Sequence, residues 1–512
     1  MVRAVGTISF FTLLSRMLGF VRDVVVANAF GAGMGADAFF VALKLPNFLR
    51  RLFAEGAFST AFVPVFSDYL KVGNDSATRE AVKAVFTALS LVLVFVVAVG
   101  QVIMPVLIWV IAPGFVEDPI KYQLTVDMTR ITFPYIFFIS LVALAGGILN
   151  SFHRFALPAF TPILLNVAMI VGALYIAPQM ERPVLGLAIG VLLGGIAQLA
   201  IQLPALAKIG MPFSLSWNLK HPAIRRILFL MGPSVLGVSV AQVNLLFDIF
   251  LASWLKEGSI SYLYYADRLV EFPLGLIGIA MGTAILPALS AKASSGDHDG
   301  LKYDLDFGLR LVLMINIPAT VGLLLLREPI LSLLFERGAF SADATSLTAQ
   351  ALLAYGFGLT AFSAIKVLAP AFYAMKDTKT PVRIAIICMT TNMVLNVLLM
   401  IPLQHAGLAL ATSIAAFLNA FLLLRGLKKK VGYTPGRKFF VVMVKTFLAS
   451  GVLAGFLVLA KLAFWYSPVT TMDKTVILLP IIAVGIVLFI LVAWLLRMEE
   501  VRGFKALLRK TR

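Results

Sequence analysis

Windows of about twenty mainly apolar residues recur along this sequence from end to end, the length a helix needs to cross the roughly 30 Å of hydrocarbon in a bilayer. Hydrocarbon offers no partner to backbone N–H and C=O groups, so a crossing segment has to satisfy them within itself. Of the 512 residues, 60% are hydrophobic and 13% charged, with a mean hydropathy of +0.97. A soluble globular domain of this length does not have that balance, and no stretch is left over for a sizeable soluble domain. The expectation is an all-α polytopic membrane protein with about fourteen transmembrane helices. The first apolar segment is interrupted by Arg16 and Arg22 and runs into a turn at Gly31, Gly33 and Gly35. It therefore reads as a retained helix rather than a signal peptide.

Most of the 43 Lys and Arg fall in the N-terminus, the even-numbered loops and the C-terminal tail, and few in the odd-numbered loops. This is the positive-inside pattern, and it predicts both termini on the cytoplasmic side. The net charge of +18 thus reads as topology signals and contacts to anionic membrane lipids. Examples are the cluster Arg425, Lys428, Lys429, Lys430, Arg437 and Lys438, and the tail from Arg497 to Arg512. Nucleic acid is not an expected partner, because no aromatic-interleaved basic surface accompanies these charges.

Shifted so that Pro64 falls on Pro287, the sequence also places Ser67 on Ser290, Leu124 and Thr125 on Leu347 and Thr348, and Pro158 on Pro381. Together these matches pair helices 2, 4 and 5 with helices 8, 10 and 11. The plan is two parallel six-helix repeats, 1–206 and 207–430, followed by 431–512 with two extra helices and a basic cytoplasmic tail. Transporters built from parallel repeats bind substrate between the halves. Pro46, Pro134, Gly146, Gly147, Pro273, Gly275, Gly278 and Pro318 interrupt spans and mark close packing or hinges.

Charges inside the spans point toward function. Arg16, Arg22 and Asp23 lie in the first segment, and Asp37, Lys44, Arg50, Arg51 and Glu55 in the second. A charge at mid-bilayer costs roughly 2.5 to 3.5 kcal/mol on insertion scales, so this density implies a wet, protein-lined cavity. The second half adds Asp248, Asp267, Arg268 and Glu271, then Lys366 within GLTAFSAIKVLAPAF. The i, i+3 spacing lets Glu271 pair with Arg268 while Asp267 occupies the adjacent face. If helices 1, 2, 7 and 8 line one cavity, its cations outnumber its carboxylates. Arginine suits bidentate contact with phosphate oxygens, which predicts a phosphate-bearing anion as substrate. Arg130, Arg310 and Lys445 lie near span ends and read as snorkelling anchors.

No zinc spacing, phosphate-binding glycine loop or nucleophile elbow is present, and His153, His221, His298 and His405 are far apart. An enzyme is therefore not expected. Cys388 lies in an apolar run and reads as a small core residue.

Three runs in the first sixty residues carry a family resemblance: Ser15 to Asp23 (SRMLGFVRD), Gly35 to Ala42 (GADAFFVA) and Lys44 to Phe58 (KLPNFLRRLFAEGAF). Later runs agree: Tyr264 to Leu269 (YYADRL), Gly282 to Pro287 (GTAILP) and Lys366 to Pro370 (KVLAP). The chain resembles the MurJ (MviN) family of the multidrug/oligosaccharidyl-lipid/polysaccharide exporter superfamily over nearly its whole length. That resemblance implies a lipid II flippase working by alternating access in the bacterial inner membrane. Its partner would be the undecaprenyl-pyrophosphate-linked disaccharide-pentapeptide, with peptidoglycan synthesis proteins as further candidates. The family's cationic residues match Arg16, Arg22, Arg50 and Arg268, and further cavity charges match Asp37, Asp267, Glu271 and Lys366. Helices 13 and 14, about 439–462 and 474–496, match the pair thought to form a groove for the lipid tail. No cofactor is implied; H⁺, Na⁺ or the membrane potential are left open as energy sources. The alternatives are a flippase for another polyprenyl-pyrophosphate-linked saccharide, a cation-coupled multidrug antiporter, and a non-transporting scaffold.

Overall fold

The computed structural model describes residues 2–51, 58–275, 279–465 and 470–500. Every element assigned in them is helical. The chain divides into two compact units: Met1–Ser261 with Gly338–Phe340, and Tyr262–Arg337 with Ser341–Arg512. These units follow packing, whereas the division at 206 and 430 follows the sequence repeat.

Unit 1 begins with α1 (Val2–Phe30), α2 (Met34–Leu49), α3 (Phe58–Val72) and α4 (Asp75–Ile111). It continues with α5 (Pro119–Thr132), α6 (Tyr135–Ser151), α7 (Ala156–Val171), α8 (Leu185–Ala200), α9 (Leu203–Lys208) and α10 (Pro222–Ala252). Local chemistry sets several starts. The Asn74 side chain caps α4 by accepting from Ala77 N–H. Asp118 caps α5 by accepting from Ile120 and Lys121 N–H, and Pro119 follows at the first helical position, where a missing N–H costs nothing. A core of Phe58, Phe62, Phe66, Val85, Leu144, Ile148 and Ile227 ties α3, α4, α6 and α10 together.

The short helical turns that continue α7, Gly172–Ile176 and Ala177–Gln179, approach α8 so closely that a Cβ on Gly172 would lie 2.5 Å from the Gly186 carbonyl oxygen, and one on Gly186 would lie 2.6 Å from Ala177 N. Small residues permit this approach, which supplies the dispersion contact that holds helices together in lipid. Gly31, at φ +66°, sits where a Cβ would strike the Ala339 carbonyl, so the 338–340 segment can lie against the end of α1. Ala339 N–H donates there to the Asn28 carbonyl at 2.9 Å.

Unit 2 takes in most of α11 (Ser259–Pro273), then α12 (Ile279–Ser294), α13 (His298–Leu325) and α14 (Arg327–Leu334). It ends with α15 (Ala342–Ala374), α16 (Lys379–Val431), α17 (Arg437–Phe464) and α18 (Thr471–Leu495). The 53-residue α16 is two legs, because Gln404 has φ +51° and ψ −131° just after Pro402. Asn392 and Thr412, on opposite sides of that bend, meet at 3.3 Å, so the second leg folds back along the first. The two legs stand where the sequence plan counts helices 11 and 12.

Among the described residues, nine helical stretches are long and apolar enough to cross a membrane, the two-legged α16 counted as one. A total of fourteen is not confirmed by that count. Segments α1, α2, α3, α10, α11 and α12 lie outside it, although the 29 residues of α1 would reach about 44 Å. Residues 52–57, between α2 and α3, and 276–278, between α11 and α12, lie outside the described residues. Gly278 lies outside the described residues, as does the tail beyond Glu500. Large apolar side chains face outward on α4 (Phe95, Val102, Val106), α17 (Phe447, Leu459) and α18 (Val484, Val487), while Thr125, Asn316, Asn396 and Ser413 are buried. That inversion of a soluble protein's surface fits lipid as the surrounding solvent. The protein is a multi-pass, all-helical membrane protein.

Two predictions follow from this packing. Gly186→Val forces α7 and α8 apart and should cost about 2 to 3 kcal/mol, read as a lower melting temperature in detergent. Between α15 and α16, Asp377 accepts from Lys430 Nζ at 2.6 Å and from Thr380 N–H and Oγ1. The Lys430 ammonium, then the Thr380 donors, hold its carboxyl below the usual range. A depressed carboxyl stabilises the fold above its unfolded pKa of about 3.9 and loses that contribution as pH falls further. Asp377→Asn should therefore lower the melting temperature at pH 7, with the gap to wild type closing below about pH 4.

Candidate functional site

The charged residues of the spans sort into compensated and uncompensated sets, and each unit contains both. In unit 1, Arg22 donates to Asp23 Oδ1 through Nη2 at 2.6 Å and through Nε at 3.0 Å. Its Nη1 reaches Asn166 Oδ1 on α7 at 3.0 Å, and Asn166 Nδ2 in turn donates to the Ser15 carbonyl at 3.1 Å. Both side chains are nearly enclosed, at 11% and 4% exposure. Arg22 therefore fastens α1 to α7. Two turns earlier on α1, Arg16 is exposed and forms no hydrogen bond or ion pair with any described residue.

Asp37, grouped by sequence with the cavity charges, lies in the packed interior at 1% exposure. Its Oδ2 accepts from Lys121 Nζ at 3.0 Å and Gly258 N–H at 2.8 Å, and its Oδ1 from Ser261 N–H at 3.0 Å and Ser261 Oγ at 2.7 Å. Four donors satisfy the carboxylate, which joins α2, α5 and the first turn of α11. Asp37 stands in the first turn of α2, where the helix dipole favours an anion. Lys121 stands in the first turn of α5, where the dipole opposes a cation, so Asp37 and the Phe115 ring 4.1 Å away must hold it. Sequence reading missed Lys121 because it falls just outside the expected span. Its place after the Asp118-Pro119 helix start was the available signal.

Toward the other end of α2, Lys44 and Arg50 are half-buried, Arg50 Nε donates to Asn47 Oδ1 at 3.2 Å, and Arg51 is exposed. Glu55 lies outside the described residues.

In unit 2, Arg268 pairs with Glu271 at 2.8 Å, the i, i+3 contact the spacing predicts. It also donates to Tyr264 OH at 3.2 Å and lies 4.9 Å from the centre of that ring. The tyrosine holds the guanidinium while leaving it about a third exposed. Asp267 is exposed on the neighbouring face. Lys366, on α15, is exposed and forms no ion pair or hydrogen bond with a described residue.

Arg310 is a correction to the snorkelling assignment. It is 4% exposed, with Nε donating to Asp306 at 2.9 Å and Nη1 donating to Glu500. Tyr433 OH donates to the other Asp306 oxygen at 3.1 Å. Burial and the Asp306 charge push that hydroxyl well above its ordinary value, so it remains a donor. A guanidinium this deep needs carboxylates rather than a path to water. Glu500, far along the chain and beyond the last span, was not legible as its partner.

The sequence profile described as lipid II flippase MurJ matches residues 26–485. The chain belongs to the MurJ family. It is 47% identical to a Vibrio cholerae protein named "Probable lipid II flippase MurJ", over 90% of this chain and 89% of that one. It is 42% identical to the Burkholderia cenocepacia "Lipid II flippase MurJ", over 88% and 89% of the two chains. A solved structure of a lipid II flippase MurJ in an inward closed conformation covers 95% of this chain and 97% of its own, at 30% identity and a TM-score of 0.80. An inward-facing multidrug MATE transporter of the MOP superfamily shares the fold, with a TM-score of 0.66 at 14% identity over 84% and 98% of the chains.

The Asp37–Lys121 pair yields a stability prediction. Asp37→Ala strands a buried ammonium and should cost about 3 to 5 kcal/mol, whereas the double variant Asp37→Ala/Lys121→Met should recover much of that loss. A double-mutant cycle of melting temperatures reads the difference.

Proposed function

We propose that this protein moves lipid II, the undecaprenyl-pyrophosphate-linked disaccharide-pentapeptide, from the cytoplasmic to the periplasmic leaflet of a bacterial inner membrane, with both of its own termini cytoplasmic. Family membership over residues 26–485 supports the substrate. The observation that carries the mechanism is the presence of exposed cations within spans, Arg16 in unit 1 and Lys366 in unit 2, with no carboxylate of a described residue in contact. Such charges need a polar medium or an anion, and a pyrophosphate supplies the anion. A pyrophosphate cannot enter hydrocarbon without a replacement for its hydration, whereas its polyprenyl tail stays in lipid throughout.

The roles divide by geometry. Arg16, Arg50 and Arg268 contact phosphate oxygens, because each keeps exposed or half-exposed guanidinium surface. Arg22 and Asp23 hold α1 on α7, and the pair opens only if an incoming phosphate competes with Asp23 for the guanidinium. Lys44, Arg51, Asp267, Glu271 and Lys366 tune the charge of the path, and Asp37 acts as a packing clamp. Successive exposure of these cations to the two sides of the membrane transfers the headgroup, and the return step draws on the membrane potential or on an H⁺ or Na⁺ gradient. No cofactor enters the cycle.

The test is the leaflet position of lipid II in bacteria depleted of the native protein, read by an externally added enzyme that cleaves exposed precursor. Wild type should restore cleavage. Arg268→Ala, expressed to the same level, should lower it by about ten- to a hundredfold, the value of a charge-assisted hydrogen bond. Arg182→Ala, which breaks only an exposed pair with Asp127, should leave it unchanged. Precursor reaching the outer leaflet without the protein would point instead to another polyprenyl-linked saccharide.

A further inference from the structure

At one end of unit 2, α13, the start of α17 and the segment after α18 enclose a cavity of about 230 Å³. Five cations line it, Arg310, Arg437, Lys438, Lys445 and Arg497, against the two carboxylates Glu499 and Glu500. Arg310 is neutralised by Asp306 and Glu500. Lys438 and Glu499 stand 3.6 Å apart with both side chains mostly in the open. The side chains of Arg437, Lys445 and Arg497 form no ion pair or hydrogen bond with any described residue.

Lys445 is the decisive member. It is half-buried eight residues into α17, about 12 Å along the axis from Arg437, in a helix that is otherwise almost wholly apolar there. Arg437, Val441 and Lys445 recur every four residues, so both cations lie on one face that descends from the helix start into the span. An unmatched ammonium at that depth is costly unless water or an anion meets it. Residues 501–512 carry five cations and no acidic side chain.

The neighbouring surfaces say what kind of anion fits. Beside Val441 and Lys445, Phe440, Val444 and Leu448 of α17 are exposed, as are Leu491, Trp494 and Leu495 at the end of α18. These are lipid-contacting residues, with Trp494 close to the chain's basic end, as at membrane interfaces. A water-soluble anion has no use for such flanks, whereas a headgroup joined to acyl chains uses both parts. We infer that this cavity holds the phosphate of an anionic glycerophospholipid from the surrounding leaflet, gripped by Arg437, Lys445 and Arg497, with its acyl chains lying on the apolar faces of α17 and α18. Basic pockets between helix ends are suited to headgroups of this kind.

The experiment uses the full-length protein, delipidated in a neutral detergent and titrated with phosphatidylglycerol or phosphatidylcholine, with bound lipid counted by native mass spectrometry. Wild type should retain phosphatidylglycerol over phosphatidylcholine. Lys445→Gln should weaken phosphatidylglycerol retention about fivefold, and Lys445→Gln/Arg437→Gln about thirtyfold, with phosphatidylcholine unaffected. Lys445→Arg should keep wild-type retention, and so should Arg154→Gln, which removes an exposed cation in unit 1. If Lys445→Gln does not fold, the exposed pair Arg437→Gln/Arg497→Gln makes the same comparison. Equal phosphatidylglycerol retention in wild type and the multiple variants overturns the proposal. Displacement by millimolar inorganic phosphate would show a free-anion site, and preferential retention of added lipid II through the same residues would show a site for the transported lipid; either result also overturns it.

Discussion

The cost of placing charge in hydrocarbon governs this structure more than any other term. Each ionised side chain within a span must find an opposite charge, a set of dipoles, or water, because the alternative is several kcal/mol of lost hydration. The protein uses the first two solutions for Asp37, Lys121, Arg22, Asp23 and Arg310. These pairs join helices far apart in sequence: α2 to α5 and the start of α11, α1 to α7, and α13 to the segment beyond α18. Buried ion pairs are weak sources of stability, but removing one partner is severe, so they fix which helices meet.

Arg16 and Lys366 have no such partner among the described residues, and their positions carry the functional reading. Arg16 and Lys366 are exposed side chains on helices built largely of apolar residues. Arg268 is intermediate: Glu271 and the Tyr264 ring orient it while leaving part of the guanidinium open. Orientation without saturation is what a group that binds and releases a phosphate requires. Lys445 belongs to the same class but lies in a different place, at the start of α17, where the anion argued for is a lipid of the leaflet and not the cargo.

Backbone breaks are the second device. Gln404 lets one long helix double back, and Pro134 sits in the turn between α5 and α6, a segment that hydropathy alone reads as continuous. Gly172 and Gly186 do the opposite and let neighbouring backbones touch. Pro134, Gly172 and Gly186 are small or imino residues whose positions are visible in the sequence, although the partner each one meets is not.

The sequence by itself determined that the chain is helical and embedded in membrane, because periodic apolar runs leave few alternatives once water is absent. It also determined which charges are anomalous and that Arg268 and Glu271 pair, since a three-residue separation on a helix is local geometry. Tertiary structure alone decided which anomalies are structural. Asp37 and Arg16 look alike as lone charges in apolar segments, yet Asp37 meets Lys121, Gly258 and Ser261 while Arg16 meets no described partner. Likewise Arg310 reads as a span-end anchor until Glu500 is brought beside it. The physical reason is common to all three: a charge's cost is set by the groups within a few ångströms, and those groups come from sequence positions that only folding brings together.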